Sequence, residues 1–312
     1  MLRTPMFVLA FVLGAVVIGA QPAFLRGVLP SANSAPANPA PNEASSPQRP
    51  AVKPAAVASA DIPFSNTNDY ELQTERQLLQ LANQDRAQFN VPPLTWDSGL
   101  SQAARIHAQA MFDARQLSHQ FTGEPSLPQR LAATTKLQLD LEGENVALDY
   151  DAEGAEHHLM LSPPHRANLL NPGYNVIGLG IVRSGDHLYI VQDFGHALPN
   201  YSPAEVKDQI ATAVARLRRQ SGQPALARRD LPIADEAACS MAQADKLSTS
   251  PVRQLAQRYT VLTFTSLHPE TLPSQANQPI ASPNQRSFSV GACYAKTNTY
   301  PTGVYWLILS LD

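Results

Sequence analysis

Several short strings occur twice in this chain, in the same order. Residues 86–94 read RAQFNVPPL and residues 218–226 read RRQSGQPAL. Residues 103–110 read AARIHAQA and residues 237–244 read AACSMAQA. Further on, VIGLG at 176–180 has a counterpart in SVGAC at 289–293, and the apolar run 188–194 has one in 304–311. Matches in one order at similar offsets mark an internal duplication. The chain is thereby restricted to two related units, each of which must close a core of its own. The second copy is worn. It lacks equivalents of His119, of Gly143-Glu144-Asn145 and of the stretch 162–168. Any chemical site is therefore expected in the first unit, the second being structural or a binding surface of its own.

In the first unit, residues 70–90 place Leu72, Leu78, Leu79, Leu81 and Ala82 mostly on one face, with Gln, Glu and Arg between them. That period predicts an amphipathic helix. Val91-Pro92-Pro93 stops it. Asp97 suits the N-cap of a second helix over 98–116, whose alanines suit close packing. Residues 120–142 read as a loop with a short helix around 127–133. Residues 150–161 form another helix candidate. Ser162 is placed to cap a short helix with Pro163 at its first position and His165 in its first turn. Residues 176–183 and 188–194, joined by Ser184-Gly185-Asp186, read as a hairpin. The class is α+β, with helices around an antiparallel sheet.

The length of 312 residues allows one large or two ordinary domains. A formal net charge of -3 argues against an extended nucleic-acid footprint. Arg216, Arg218, Arg219, Arg228 and Arg229 read as a solvated face. At the amino terminus, Arg3 precedes an apolar run over 6–20, and Ile18-Gly19-Ala20 suits cleavage. This is a signal peptide or an uncleaved membrane anchor. Residues 28–60, dominated by Pro, Ala, Ser and Asn, lack the means to bury a core and read as a disordered tether. The expected organisation is a signal or anchor at 1–27, a linker at 28–60, a first domain at 61–202 and a degenerate copy at 203–312. The folded part is expected outside the cytoplasm, secreted or at the outer face of the membrane. Cys239 and Cys293 are the only cysteines. In that compartment a disulfide is favoured over two buried thiols, and it would pin a helix of the copy to its sheet.

Three segments carry chemistry: His119 in Leu117-Ser118-His119, then Gly143-Glu144-Asn145, then Ser162-Pro163-Pro164-His165-Arg166-Ala167-Asn168. Two imidazoles and a carboxylate on loops and helix ends suit convergence on one divalent ion. The order of these segments, followed by Ile177-Gly178-Leu179-Gly180, resembles the CAP superfamily, also called SCP or pathogenesis-related-1-like, in its bacterial secreted branch. The resemblance covers roughly residues 70–200. It implies an α-β-α sandwich with a cleft lined by two His and two acidic residues, followed here by a smaller degenerate α/β copy. On that basis His119, Glu144 and His165 are the expected cleft residues and the expected ligands of zinc or another divalent cation. The fourth, acidic position departs from the pattern: Ser162 stands there, with Glu156, His157 and His158 nearby as substitutes. Asn145 and Asn168 are expected to hold loops, His107 to be a core or interface histidine, and Asp193 to be a polar rim residue.

No Gly-x-Ser-x-Gly, His-Glu-x-x-His or Gly-rich phosphate loop occurs. The expected function is a binding module presenting a His/Glu cleft to a small ligand, lipid, glycan or peptide of the cell exterior. The alternatives are a weak metal-dependent hydrolase, with Glu144 as ligand or base, and a structural envelope protein.

Overall fold

A computed structural model describes residues 71–248 and 250–312. The expected signal or anchor and the tether lie outside the described residues. Among those described, no helix is long and apolar enough to cross a membrane.

The first unit runs α1 (Leu72–Gln88), β1 (Thr95–Trp96), α2 (Ser98–Ala114), α3 (Leu127–Thr134), β2 (Leu139–Asp149), α4 (Ala152–Leu161), α5 (Pro163–Leu169), β3 (Val176–Ser184) and β4 (His187–Ala197). Its sheet has the order β1-β3-β4-β2. β3 and β4 form the expected hairpin, turned at Gly185 with φ 61°. Asp97 caps α2 by accepting from Leu100 N at 2.8 Å. Strand alternation sorts the core. Ile177, Leu179, Ile181, Ile190 and Phe194 pack with α1, α4 and α5, while Val182, Tyr189 and Val191 pack with α2. The result is an α-β-α sandwich.

Close approach of α2 to β3 requires glycine. A Cβ at Gly178 would lie 2.1 Å from the Leu100 carbonyl carbon, and one at Gly180 would lie 2.2 Å from that of Ala104. No side chain fits in that space, which explains the Ile-Gly-x-Gly pattern.

The second unit repeats this plan: α6 (Pro203–Gln220), β5 (Ala227–Arg228), α7 (Pro232–Gln243), β6 (Thr260–Ser266), α8 (Asn277–Ala281), β7 (Ser287–Ala295) and β8 (Val304–Leu311). Its sheet order, β5-β7-β8-β6, is that of the first unit strand for strand. The buried arginines show the duplication atom by atom. Arg86 donates from Nε to Pro92 O and from Nη1 to Leu169 O and Asn171 O. Arg218 donates from Nε to Pro224 O and from Nη1 to Ile280 O and Ser282 O. Arg218 is therefore no part of a solvated face. It also shows that α8 stands where α5 stands, so the copy keeps the backbone of the 162–168 stretch and loses its chemistry.

The helix-on-glycine contact recurs once: a Cβ at Gly291 would meet Ala234 O at 2.2 Å. By the same register, Gly180 corresponds to Cys293 and Arg105 to Cys239. There the copy has a disulfide, Cys239–Cys293, with a sequence separation of 54. It ties α7 to β7, as expected. Loop-closure entropy for that separation corresponds to about 4 kcal/mol. The double variant Cys239→Ala/Cys293→Ala should melt lower by about 10 °C in calorimetry. An unchanged melting temperature would show that the bond adds nothing to a junction already closed by packing.

Candidate functional site

The expected site residues gather around the outer edge of β2. This strand ends the sheet, pairing only with β4. Gly143-Glu144-Asn145 therefore lies within an 11-residue edge strand and not in a loop. The strand period sends Glu144 toward α2 and α3 and Asn145 toward α4 and α5. The free edge is filled by side chains: Asn168 Nδ2 donates to Glu144 O at 3.1 Å and to Asn145 Oδ1 at 2.9 Å. Gly143 has no room for a side chain, because a Cβ there would lie 2.2 Å from the Tyr174 hydroxyl.

On the α2 side, Glu144 is the centre of a buried charge cluster. Its Oε1 pairs with His119 Nδ1 at 2.8 Å. Its Oε2 accepts from Arg130 Nη2, on α3. Arg130 Nη1 also donates to His119 O at 3.0 Å and lies 3.5 Å from Glu124. His107, fully buried on α2, meets Glu124 at 2.6 Å and Ser118 O at 2.8 Å, with Glu144 at 3.9 Å. Asp193 faces Glu144 across the ladder and is fully buried, not a rim residue. No donor reaches either of its oxygens. Burial first, and the Glu144 charge second, push its carboxyl well above the usual carboxylate range, against the pull of Arg130.

On the other side, Asn145 Nδ2 donates to His165 O at 3.2 Å and to Gln192 Oε1 at 3.0 Å. Gln192 Nε2 donates to Glu156 Oε2 at 3.3 Å. Glu156 is buried beneath this chain and is no cleft substitute for the missing acid. Its pKa is pushed up to about 8, by burial first and then by the Asp85 charge. His158 pairs with Asp149 at 2.6 Å on the surface. His165, on α5, pairs through Nδ1 with Ser162 Oγ at 2.9 Å. That bond takes the Ser162 hydroxyl away from the backbone cap expected of it.

Of the three expected cleft residues, His119 and Glu144 are in contact, and His165 lies within electrostatic reach. Its pKa is lowered by burial first and by the charge of His119 second. The His119 pKa is raised, chiefly by its bond to Glu144. No described residue bonds Nε2 of His119, whose side chain is 61% exposed. As a metal site the trio does not fit three-ligand binding. Both Glu144 oxygens are taken, one by an imidazole and one by a guanidinium, and no group of three such side chains among the described residues could hold an ion. A groove of about 770 Å³ lies elsewhere, between α3 and the second unit, and none of the three lines it.

The second unit supplies an internal control. Pairing Gly178 with Gly291 aligns Asp193 with Ile308, Glu144 with Thr263, Asn145 with Phe264 and Gln192 with Leu307. His107 aligns with Met241. In the copy, Met241 and Ile308 join one apolar cluster, Phe264 and Leu307 another. The same backbone plan closes on hydrocarbon at four of the five positions, with Thr263 the exception. The polar layer is dispensable for the fold and specific to the first unit.

Residues 79–194 match the family described as CAP, the cysteine-rich secretory protein family. The chain carries a CAP domain. Over 112 residues it is 33% identical to the uncharacterized protein YkwD of Bacillus subtilis, covering 36% of this chain and 43% of that one. It is 30% identical over 144 residues to the uncharacterized membrane protein YlbC of the same organism, covering 46% and 39%. An extracellular SCP-domain protein from Bacillus anthracis, of known structure, is 31% identical, with a TM-score of 0.36 and coverage of 40% and 41%. The chain thus spans about two fifths of the length of the curated relatives it matches.

Sequence reasoning missed Arg130 and the burial of Asp193 in the CAP domain. Arg130 is a lone cation in a two-turn helix, and Asp193 sits in a strand whose pattern hides its burial. The Ser126-Gln129 capping box was the available signal that α3 is a defined helix able to aim a side chain.

Two predictions follow the titrations. His119, raised in the folded state, stabilises the fold below its unfolded-state value, and that contribution is lost as pH rises through the folded one. In a histidine NMR titration His119 should deprotonate at higher pH than His165, and Glu144→Gln should lower the His119 midpoint; a reversed order contradicts the assignment. Glu156 has the acid's opposite sign to a salt-bridged carboxylate. Its contribution is complete below the unfolded-state value and disappears as pH rises toward about 8. Glu156→Gln should therefore raise the melting temperature relative to wild type at about pH 9 and leave it unchanged at about pH 4. Equal melting curves at both would mean the carboxyl is solvated.

Proposed function

We propose that the chain is an exported CAP-domain binding module whose His119–Glu144–His165 cleft takes a small ligand, lipid, glycan or peptide at the cell exterior. One observation carries this reading: on the same sheet order the copy has Phe264, Leu307, Ile308 and Met241 where the first unit has Asn145, Gln192, Asp193 and His107, and Thr263 in place of the Glu144 carboxylate. Buried charges cost stability that a hydrocarbon core would not, so their retention in one unit only points to use. What they do is orient His119. The ring is held at Nδ1 by a carboxylate that is itself clamped by Arg130, and Nε2 is left toward solvent. A rigid imidazole beside a second one on α5 is a recognition surface with a preset direction.

Reaction is less well supported. The expected zinc chemistry needs an open metal with three protein ligands, and Glu144 is committed elsewhere. The cell exterior rests on the apolar run at 6–20 and the tether at 28–60, together with the extracellular B. anthracis relative. On this reading residues 61–202 form the binding domain, and residues 203–312 form its degenerate copy.

The test is histidine-selective NMR of the full chain titrated with three probes: phosphatidylglycerol vesicles, an N-acetylglucosamine hexamer and an alanine-rich tetrapeptide. One probe should move the His119 and His165 ring signals together, and His119→Ala should weaken its binding by about tenfold, the cost of one lost hydrogen bond. Probes that move neither ring, or binding indifferent to both His119→Ala and His165→Ala, would leave the cleft without this role.

A further inference from the structure

The second unit lacks the His119–Glu144–His165 set, yet it reaches back to the two elements that deliver the first unit's buried charges. We infer that Lys296 is a positioning residue for the Arg130–Glu144–His119 set, and that the second copy serves as a brace for the cleft. The inference builds on the cleft reading above.

Lys296 Nζ donates to Ala132 O at 3.2 Å and to Thr135 O at 2.9 Å. These carbonyls end α3, where no further turn supplies N–H partners and the helix dipole favours a cation. α3 is only eight residues long, too short to be stable by itself. Arg130 lies two residues before Ala132 on that helix. Its guanidinium touches both Glu144 and the carbonyl of His119, so movement of the helix end displaces the clamp beneath His119. A second contact acts on β2: Thr302 Oγ1 donates to Leu139 O at 3.1 Å, at the start of the strand that carries Glu144. A third joins His268 Nε2 to Asp140 at 3.0 Å on the next residue of β2.

Two further observations separate bracing from space-filling. No carboxylate among the described residues forms an ion pair with Lys296, and burial lowers its pKa. Its side chain is exposed overall, so the two α3 carbonyls and not a packed junction hold the ammonium in place. The segment bearing it is also stiff. Cys293, three residues earlier, is bonded to α7. Tyr294 Oη donates to Thr302 O at 3.0 Å, and Thr299 N and Oγ1 both donate to Asp245 at 2.9 Å. The ammonium is therefore presented from a fixed frame.

The test compares full-length wild type, Lys296→Met and Lys296→Arg by amide hydrogen exchange and by the His119 ring resonance. Lys296→Met keeps the aliphatic stem and should speed exchange at the α3 amides by about tenfold, the loss of about one hydrogen bond. It should also shift the His119 signal and leave the amides of β3 and β4 at wild-type rates. Lys296→Arg should restore both readouts. Unchanged α3 exchange with an unmoved His119 signal overturns the inference, as does exchange that rises equally across both units. If Lys296→Met fails to fold, Thr302→Val gives the same reading from β2: a His119 shift supports the brace and its absence counts against it. Neither readout needs a cleft ligand, so the brace can fail while ligand binding stands, and the reverse.

Discussion

The distance between α2 and its sheet is set by two missing side chains, and the rest of the first unit depends on it. With Gly178 and Gly180 against the α2 backbone, the helix sits too low for anything but alanine and a few buried side chains to face the sheet. His107 is one of those, and the shallow spacing brings it within reach of Glu124 and Glu144. A helix raised by one methyl layer would leave a gap in which Asp193 and Glu144 meet water, and the burial that raises the Asp193 pKa would be lost. The copy solves the same spacing problem with one glycine and one covalent bond. Cys293 stands where Gly180 stands, and its sulfur reaches Cys239 on the helix. Contact that the first unit obtains by removing atoms, the second obtains by cross-linking them. Both solutions fix the helix on the sheet.

An edge strand is a liability when its backbone groups stay open to pairing. Here the edge of β2 is closed by side chains from α5, with Asn168 on the Glu144 carbonyl and the Asn145 amide. The closure keeps another strand away and leaves the cleft reachable. Because consecutive residues of a strand point to opposite faces, Glu144 and Asn145 anchor two separate networks from adjacent positions. One runs to Arg130, Asp193 and His119; the other runs to His165, Gln192 and Glu156. The two imidazoles, 46 positions apart in the chain, are thus referenced to the same peptide bond.

Much of the fold was legible because it is carried by local pattern. The apolar period of α1, the Asp97 cap, the hairpin and the duplicated strings all reflect interactions within a few residues, and the disulfide followed from the duplication. What escaped was decided at longer range. Glu142, Gly143, Glu144 and Asn145 are poor strand formers, and only the partners on α3, α5 and β4 make a strand of them. Asp193 alternates correctly for a rim residue until the helix above it is known to lie flush on glycine. Arg218 sits in a run of arginines that looks solvated, yet it repeats the hydrogen bonds of Arg86. Of the expected site, His119 and Glu144 are in contact and His165 lies within electrostatic reach of His119. The role of Glu144 was not, because Arg130 occupies the oxygen that a metal would need.

Duplication normally yields two equal sites, and this chain has kept one. The register shows how the inequality was made: four polar positions on two strands and one on a helix became Thr263, Phe264, Leu307, Ile308 and Met241. Each exchange removes a buried group that needs a partner, so the copy became easier to stabilise as it lost its chemistry. The first unit carries the opposite burden. Its cluster holds two carboxyl groups, an imidazole and a guanidinium in one buried layer, and the short helix that supplies the guanidinium lacks the length to hold its own end. A stiff neighbour in the same chain meets that need without a folding partner that must be found by diffusion. The copy is suited to that part because its aligned positions hold no buried charge cluster of their own.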